Sequence, residues 1–213
     1  MIELFSFVFL IAGLLMLAGK IVRNNIMLLT IQSLSLSIIA FYLGLSGEEI
    51  NWHMAVVGGL TLTVKGIVLP WVLYRLVKKD AVSRVVLLSI GLVPSILIGV
   101  LLVGLTYSYV VPVLLKEIQV GSQLLSAALS TVLLGCFFMI SRRSALSQLI
   151  GVIVMENGLY LCGVAVTGGM PLIIELGIFF DLLVGVLVMG IMTDQIREAF
   201  DTLDTKLLNK LKG

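Results

Sequence analysis

Long, smooth apolar runs constrain this chain more than any other feature. Seven of them, at roughly 3–20, 25–45, 53–75, 84–107, 122–141, 144–166 and 171–194, approach the length that crosses a hydrocarbon core. Backbone polar groups in lipid must be satisfied within the protein, so only helices or a closed barrel can accommodate such runs. Their residues do not alternate with a period of two, which favours helices. Composition agrees, with 60% hydrophobic and 12% charged residues and a mean hydropathy of +1.19, against about half apolar and a quarter charged in soluble domains. No soluble domain fits between the runs. The expected fold is an all-α integral membrane protein of about seven transmembrane helices. Met1–Gly19 lacks a basic leading segment and reads as a retained first span rather than a cleaved signal. Pro94 falls inside the fourth run, where it is expected to kink the helix.

Charge placement orients the spans. Lys20, Arg23, Arg75, Lys78, Lys79, Arg84, Arg142, Arg143 and the tail residues Arg197, Lys206, Lys210 and Lys212 fall on one side; Lys116 alone falls on the other. By the positive-inside rule the N-terminus faces out and the C-terminus faces the cytoplasm of a cell inner membrane. Helices one to three resemble five to seven in layout: a span, a basic turn at Arg23 or Arg143, a second span, then a third with a mid-depth charge. The reading is two three-helix repeats, residues 1–79 and 122–195, joined by a linking helix and loop at 80–121, with a tail at 196–213. Three helices reverse the chain's side of the membrane, so the extra helix makes the repeats parallel.

Ionisable groups inside the spans are the candidate functional residues. Glu156 and Asp181 approach the membrane midplane from opposite sides, Lys65 lies at matching depth, and Glu175 sits about one turn inside the last span. Insertion of such a charge costs roughly 2.5–3.5 kcal/mol, so it must face a bundle interior or water and serves a purpose there. Burial raises a carboxylate's pKa and a nearby cation lowers it, and a group held between the two can exchange a proton near neutral pH. Lys65 can equally form a packing ion pair with Asp181 or with Glu156. Gln32, Asn157 and Thr63 are the polar positions best placed to support such a path.

Other chemistries lack their residues. Cys136 and Cys162 are spaced for neither a metal site nor a disulfide, and a single histidine, His53, makes a metal or haem site improbable. Phosphate-loop, dinucleotide and serine-nucleophile motifs are absent, so neither catalytic nor cofactor-binding residues are assigned. A net charge of +2, with its basic residues in loops, argues against nucleic acid as a partner.

The segments VMENGLYL, IIELGIFFDLLVGVLVMGIM and TLDTKLLNKLKG, with LTVKGIVLPWVL and IQSLSL, resemble component E of hydrogenase-4-type formate hydrogenlyase complexes. That family is related to the small K component of respiratory complex I and to the C component of multisubunit cation/proton antiporters. The resemblance implies K-like three-helix repeats and a non-catalytic membrane-arm subunit of an energy-converting oxidoreductase complex. It implies partners too: antiporter-like and other membrane-arm subunits, and peripheral hydrogenase subunits that hold nickel-iron and iron–sulfur centres. None of those centres would lie in this chain. The K component carries two carboxylates on its proton-conducting axis; Asp181 matches the second by position, and Glu156 is similar to the first, about one helical turn displaced. The alternatives are a structural membrane adaptor and an antiporter subunit, and a path of mid-membrane carboxylates can carry sodium as well as protons.

Overall fold

The computed structural model describes residues 1–45, 52–79, 89–114, 122–167, 185, 186 and 190. Glu175 and Asp181, the seventh expected span and the tail lie outside the described residues. Among those described, the chain is all helix, without a strand. Six continuous helices are described: α1 (Ile2–Ala18), α2 (Val22–Leu45), α3 (52–79), α4 (Leu92–Leu114), α5 (Ser122–Ser141) and α6 (Ala145–Thr167). Among the described residues, four segments are long and apolar enough to cross a membrane: Val22–Leu45, Leu92–Leu114, Ser122–Ser141 and Leu146–Val166. Helix α1 is apolar apart from Glu3 and Ser6 but has 17 residues.

Prolines shape two of these helices. In α3 the segment Thr61–Val68 is π-helical, and the Leu69 N–H reaches back five residues to the Val64 carbonyl. Thr106–Val110 of α4 does the same, with the Val111 N–H bonded to the Thr106 carbonyl. Pro70 and Pro112 each follow two residues after the widened segment. A proline inside a helix offers no N–H and crowds the carbonyl four residues back. Moving the preceding bonds out by one residue relieves that crowding, and such insertions recur at functional sites. Pro94 behaves differently from expectation. Helix α4 begins at Leu92, so Pro94 lies in its first turn, where the N–H has no helical partner to lose. It therefore starts the helix rather than kinking its middle.

Close packing is organised by glycine. Helices α5 and α6 form an antiparallel hairpin around Ser141–Ala145, and their backbones touch. A Cβ on Gly135 would run into the Met155 backbone, and one on Gly158 would sit 2.7 Å from the Val132 nitrogen. Small residues at such points let helices approach closely in lipid, where packing replaces the hydrophobic drive. Gly99 plays the same part for α4 against Leu17 of α1. Helices α1, α2, α5 and α6 surround the core, with Phe9, Leu17, Leu29, Leu36, Phe138 and Leu161 fully or almost fully buried. The Ser37 hydroxyl donates to the Gly58 carbonyl at 2.8 Å and ties α3 to α2.

The basic ends gather at one pole of the bundle. The Ser89 N–H donates to the Ser141 carbonyl (2.9 Å), and the Arg143 Nε to the Ser89 hydroxyl (3.2 Å). Arg142, on sequence a solvated turn residue, is instead buried: its Nη2 donates to the Leu17 carbonyl at 2.7 Å and its guanidinium lies 4.8 Å from the Phe138 ring. Leu17 belongs to the last turn of α1, whose carbonyls have no helical partners, so a cation there completes the helix end. Burial lowers the pKa of this guanidinium from its ordinary value.

Candidate functional site: a buried ion pair and its amide ladder

Lys65 enters the interior from the widened turn of α3 and is 1% exposed. Its Nζ lies 2.5 Å from Oε1 of Glu156 on α6, a residue only 6% exposed. Eleven residues separate Glu156 from Ala145, the start of α6, so the carboxylate lies about 17 Å along that helix. The same Nζ donates to Oδ1 of the neighbouring Asn157 at 3.2 Å. Asn157 passes the order on, its Nδ2 donating to Oε1 of Gln32 on α2 at 3.2 Å. Gln32 in turn aims its Nε2 at the Phe9 carbonyl of α1, 3.4 Å away. Asn157 and Gln32 are wholly buried. Four helices therefore meet at one polar line: Glu156, Lys65, Asn157, Gln32, Phe9.

Electrostatics explain why the line is continuous. A lone ammonium or carboxylate at this depth would lose most of its hydration, and removing one member of a buried pair typically costs about 3–5 kcal/mol. The carboxylate answers the ammonium, and the amide oxygen of Asn157 occupies another of its donors. The Tyr160 ring, one turn beyond Glu156 on α6, adds a face 5.7 Å from Nζ. Oε2 of Glu156 is buried and meets no hydrogen-bond donor among the described residues. Among the described residues the carboxylate is thus engaged through Oε1 alone.

The structure brings together four residues singled out from sequence: Lys65, Glu156, Asn157 and Gln32. Thr63 stands apart; it is exposed, and its hydroxyl donates back to the Gly59 and Leu60 carbonyls of its own helix. Its side chain points away from Lys65 because two residues of helix turn it to another face. Asp181 and Glu175 lie outside the described residues. Three contributors escape a reading of the sequence. Tyr160 is legible in principle, four residues from Glu156 and so on its face of α6. The Phe9 carbonyl carries no sequence signal. The widened turn is signalled by Pro70, five residues after Lys65. Among the described residues, no group of three or more His, Cys, Asp or Glu side chains is placed to hold a metal ion.

Comparison with known proteins gives one relative along nearly the full length. The uncharacterized protein Rv0085 of Mycobacterium tuberculosis (strain ATCC 25618 / H37Rv) is 30% identical over 203 residues, 95% of this chain and 91% of that protein. No family model matches the chain. No solved structure matches it. At that identity across almost the whole of both lengths, the chain belongs to the same family as the mycobacterial protein Rv0085.

Proposed function

We propose that this chain is a membrane-arm subunit of an energy-converting hydrogenase or formate hydrogenlyase-type complex. In that role Glu156 and Lys65 form part of a proton path coupled to redox chemistry in partner subunits. The observation that carries the reading is the Lys65–Glu156 pair at 2.5 Å inside the helical bundle, continued by Asn157 and Gln32. A proton moved from Nζ to Oε1 converts a charged pair into a neutral one with little motion of heavy atoms. Oε2, buried and without a donor among the described residues, is the side left for a second partner in the relay. Asn157 and Gln32 hold the ammonium in register and set its direction. The resemblance of the Met-Glu-Asn-Gly and Glu-x-Gly-x-x-x-Asp elements to component E supports the choice of complex, and Asp181 and Glu175 are assigned to the same path on that ground.

The finer architecture belongs to this proposal: seven spans, two parallel repeats, an N-terminus outside and a C-terminus in the cytoplasm of the inner membrane. Glu156→Gln in the intact complex tests the function. We expect assembly to persist while redox-driven proton uptake by membrane vesicles falls at least tenfold. Undiminished pumping at full redox turnover would sink the proposal. A structural adaptor is the second reading, favoured by the ammonium's contacts to Glu156 and Asn157. It requires the Lys65→Met, Glu156→Leu double variant to assemble and pump like the wild type.

A further inference from the structure

A second cationic site lies at the basic pole, on the outside of the bundle. Arg23, in the first turn of α2, places its guanidinium 5.4 Å from the Tyr74 ring, and Arg75 places its own 5.4 Å from the Trp71 ring. All four side chains are exposed, Trp71 by 60%. Both arginines rest on aromatic faces. Among the described residues no carboxylate lies at this pole, since Glu3 is in the first turn of α1, at the opposite end, and Glu156 is interior. Exposed Lys20 adds to the charge.

Above the arginines the surface turns apolar along one strip. The Arg23–Tyr74 contact and the approach of Leu34 to Gly66 fix α2 against α3 in antiparallel register. Between those two points Met27, Ile31, Ile67 and Trp71 are all exposed. From Arg23 to Leu34 is eleven residues, about 16 Å of helix. That is half of a hydrocarbon core about 30 Å thick, the depth of one leaflet. Interfacial Trp and Tyr beside basic side chains mark the level of lipid headgroups.

We propose that the α2–α3 face binds one anionic phospholipid, its phosphate between Arg23 and Arg75 and its acyl chains along Met27, Ile31 and Ile67. A free phosphate would use the cationic foot and leave the leaflet-deep strip unexplained. A basic side chain near an anionic lipid surface contributes about 1 kcal/mol, so neutralising both arginines should weaken retention roughly thirtyfold.

The purified full-length chain in detergent, exchanged against phosphatidylglycerol or phosphatidylcholine and weighed by native mass spectrometry, tests this. We expect one phosphatidylglycerol retained in preference to phosphatidylcholine. In the Arg23→Gln, Arg75→Gln variant its retention should drop roughly thirtyfold, while Arg23→Lys, Arg75→Lys keeps most of it. Should the glutamine variant fail to fold, the wild type still decides, because its preference must shrink as salt rises from 0.1 to 1 M, where the screening length falls from about 10 to 3 Å. Equal retention of the two lipids at low salt overturns the proposal and leaves the arginines to an acidic partner chain. Displacement of the bound lipid by inorganic phosphate alone also overturns it.

Discussion

At the scale of single residues, the interior of this protein is governed by what a buried charge demands. Lys65 has Glu156 at 2.5 Å and Asn157 at 3.2 Å, so Lys65→Met leaves a buried carboxylate without its cation. We expect that substitution to cost about 3–5 kcal/mol, and the addition of Glu156→Leu to recover most of it, because an apolar pair needs no charge compensation. Chemical denaturation of the two variants in mild detergent measures the difference; a double variant no better than the single one would mean that the pair is not the partnership that matters. Arg142 follows a related logic without a carboxylate. It answers the end of α1 through the Leu17 carbonyl, so Arg142→Met should destabilise by about 2 kcal/mol, as expected for losing a charged hydrogen bond. Its melting temperature in detergent reports the loss. Polar side chains in an apolar run announce burial, and Lys65, Glu156, Asn157 and Gln32 are all legible on that ground. That Glu156 meets Lys65 is not, because Glu156 and Asp181 lie at similar depths in the sequence and one dimension does not fix azimuth. Arg142 departs from its sequence reading because a basic residue in a turn normally reaches water; here α1 ends beside it.

At the scale of elements, glycines and prolines decide geometry. Helices α5 and α6 touch backbone to backbone, so Gly158→Val should cost about 1–3 kcal/mol through overpacking against Val132. Gly104 of α4 has nothing within 4 Å of the position of a Cβ, so Gly104→Ala should leave stability unchanged or slightly raised. Thermal unfolding of the two variants side by side separates close packing from mere helix propensity. Helix existence is plain from the apolar runs, whereas helix limits are not. The fourth run extends from 84 to 107, but the helix occupies Leu92–Leu114, because Ile90–Gly91–Leu92 with Pro94 makes a start rather than a middle. Hydropathy alone is blind to that distinction. The widened turns are equally invisible to it, since period and hydropathy barely change when one residue is added to a turn.

At the scale of the whole molecule, the ends of α1, α2, α3, α5 and α6 bring Lys20, Arg23, Arg75, Arg142 and Arg143 to one pole. Charge bias in the sequence foreshadows that convergence, and the proposed orientation puts the pole on the cytoplasmic side. Single-cysteine variants lacking Cys136 and Cys162 settle it. Labelling of Lys20→Cys by an impermeant maleimide is expected only after the cells are opened, and labelling of Glu3→Cys in intact cells. The reverse pattern would invert the proposed orientation. The frame around the ion pair also carries an asymmetry. The widened turn lies on the N-terminal side of Pro70, which has no N–H to give the Gly66 carbonyl four residues back. Lys65 sits within that turn, so the adjustment that admits the proline also sets the direction from which the ammonium enters the bundle.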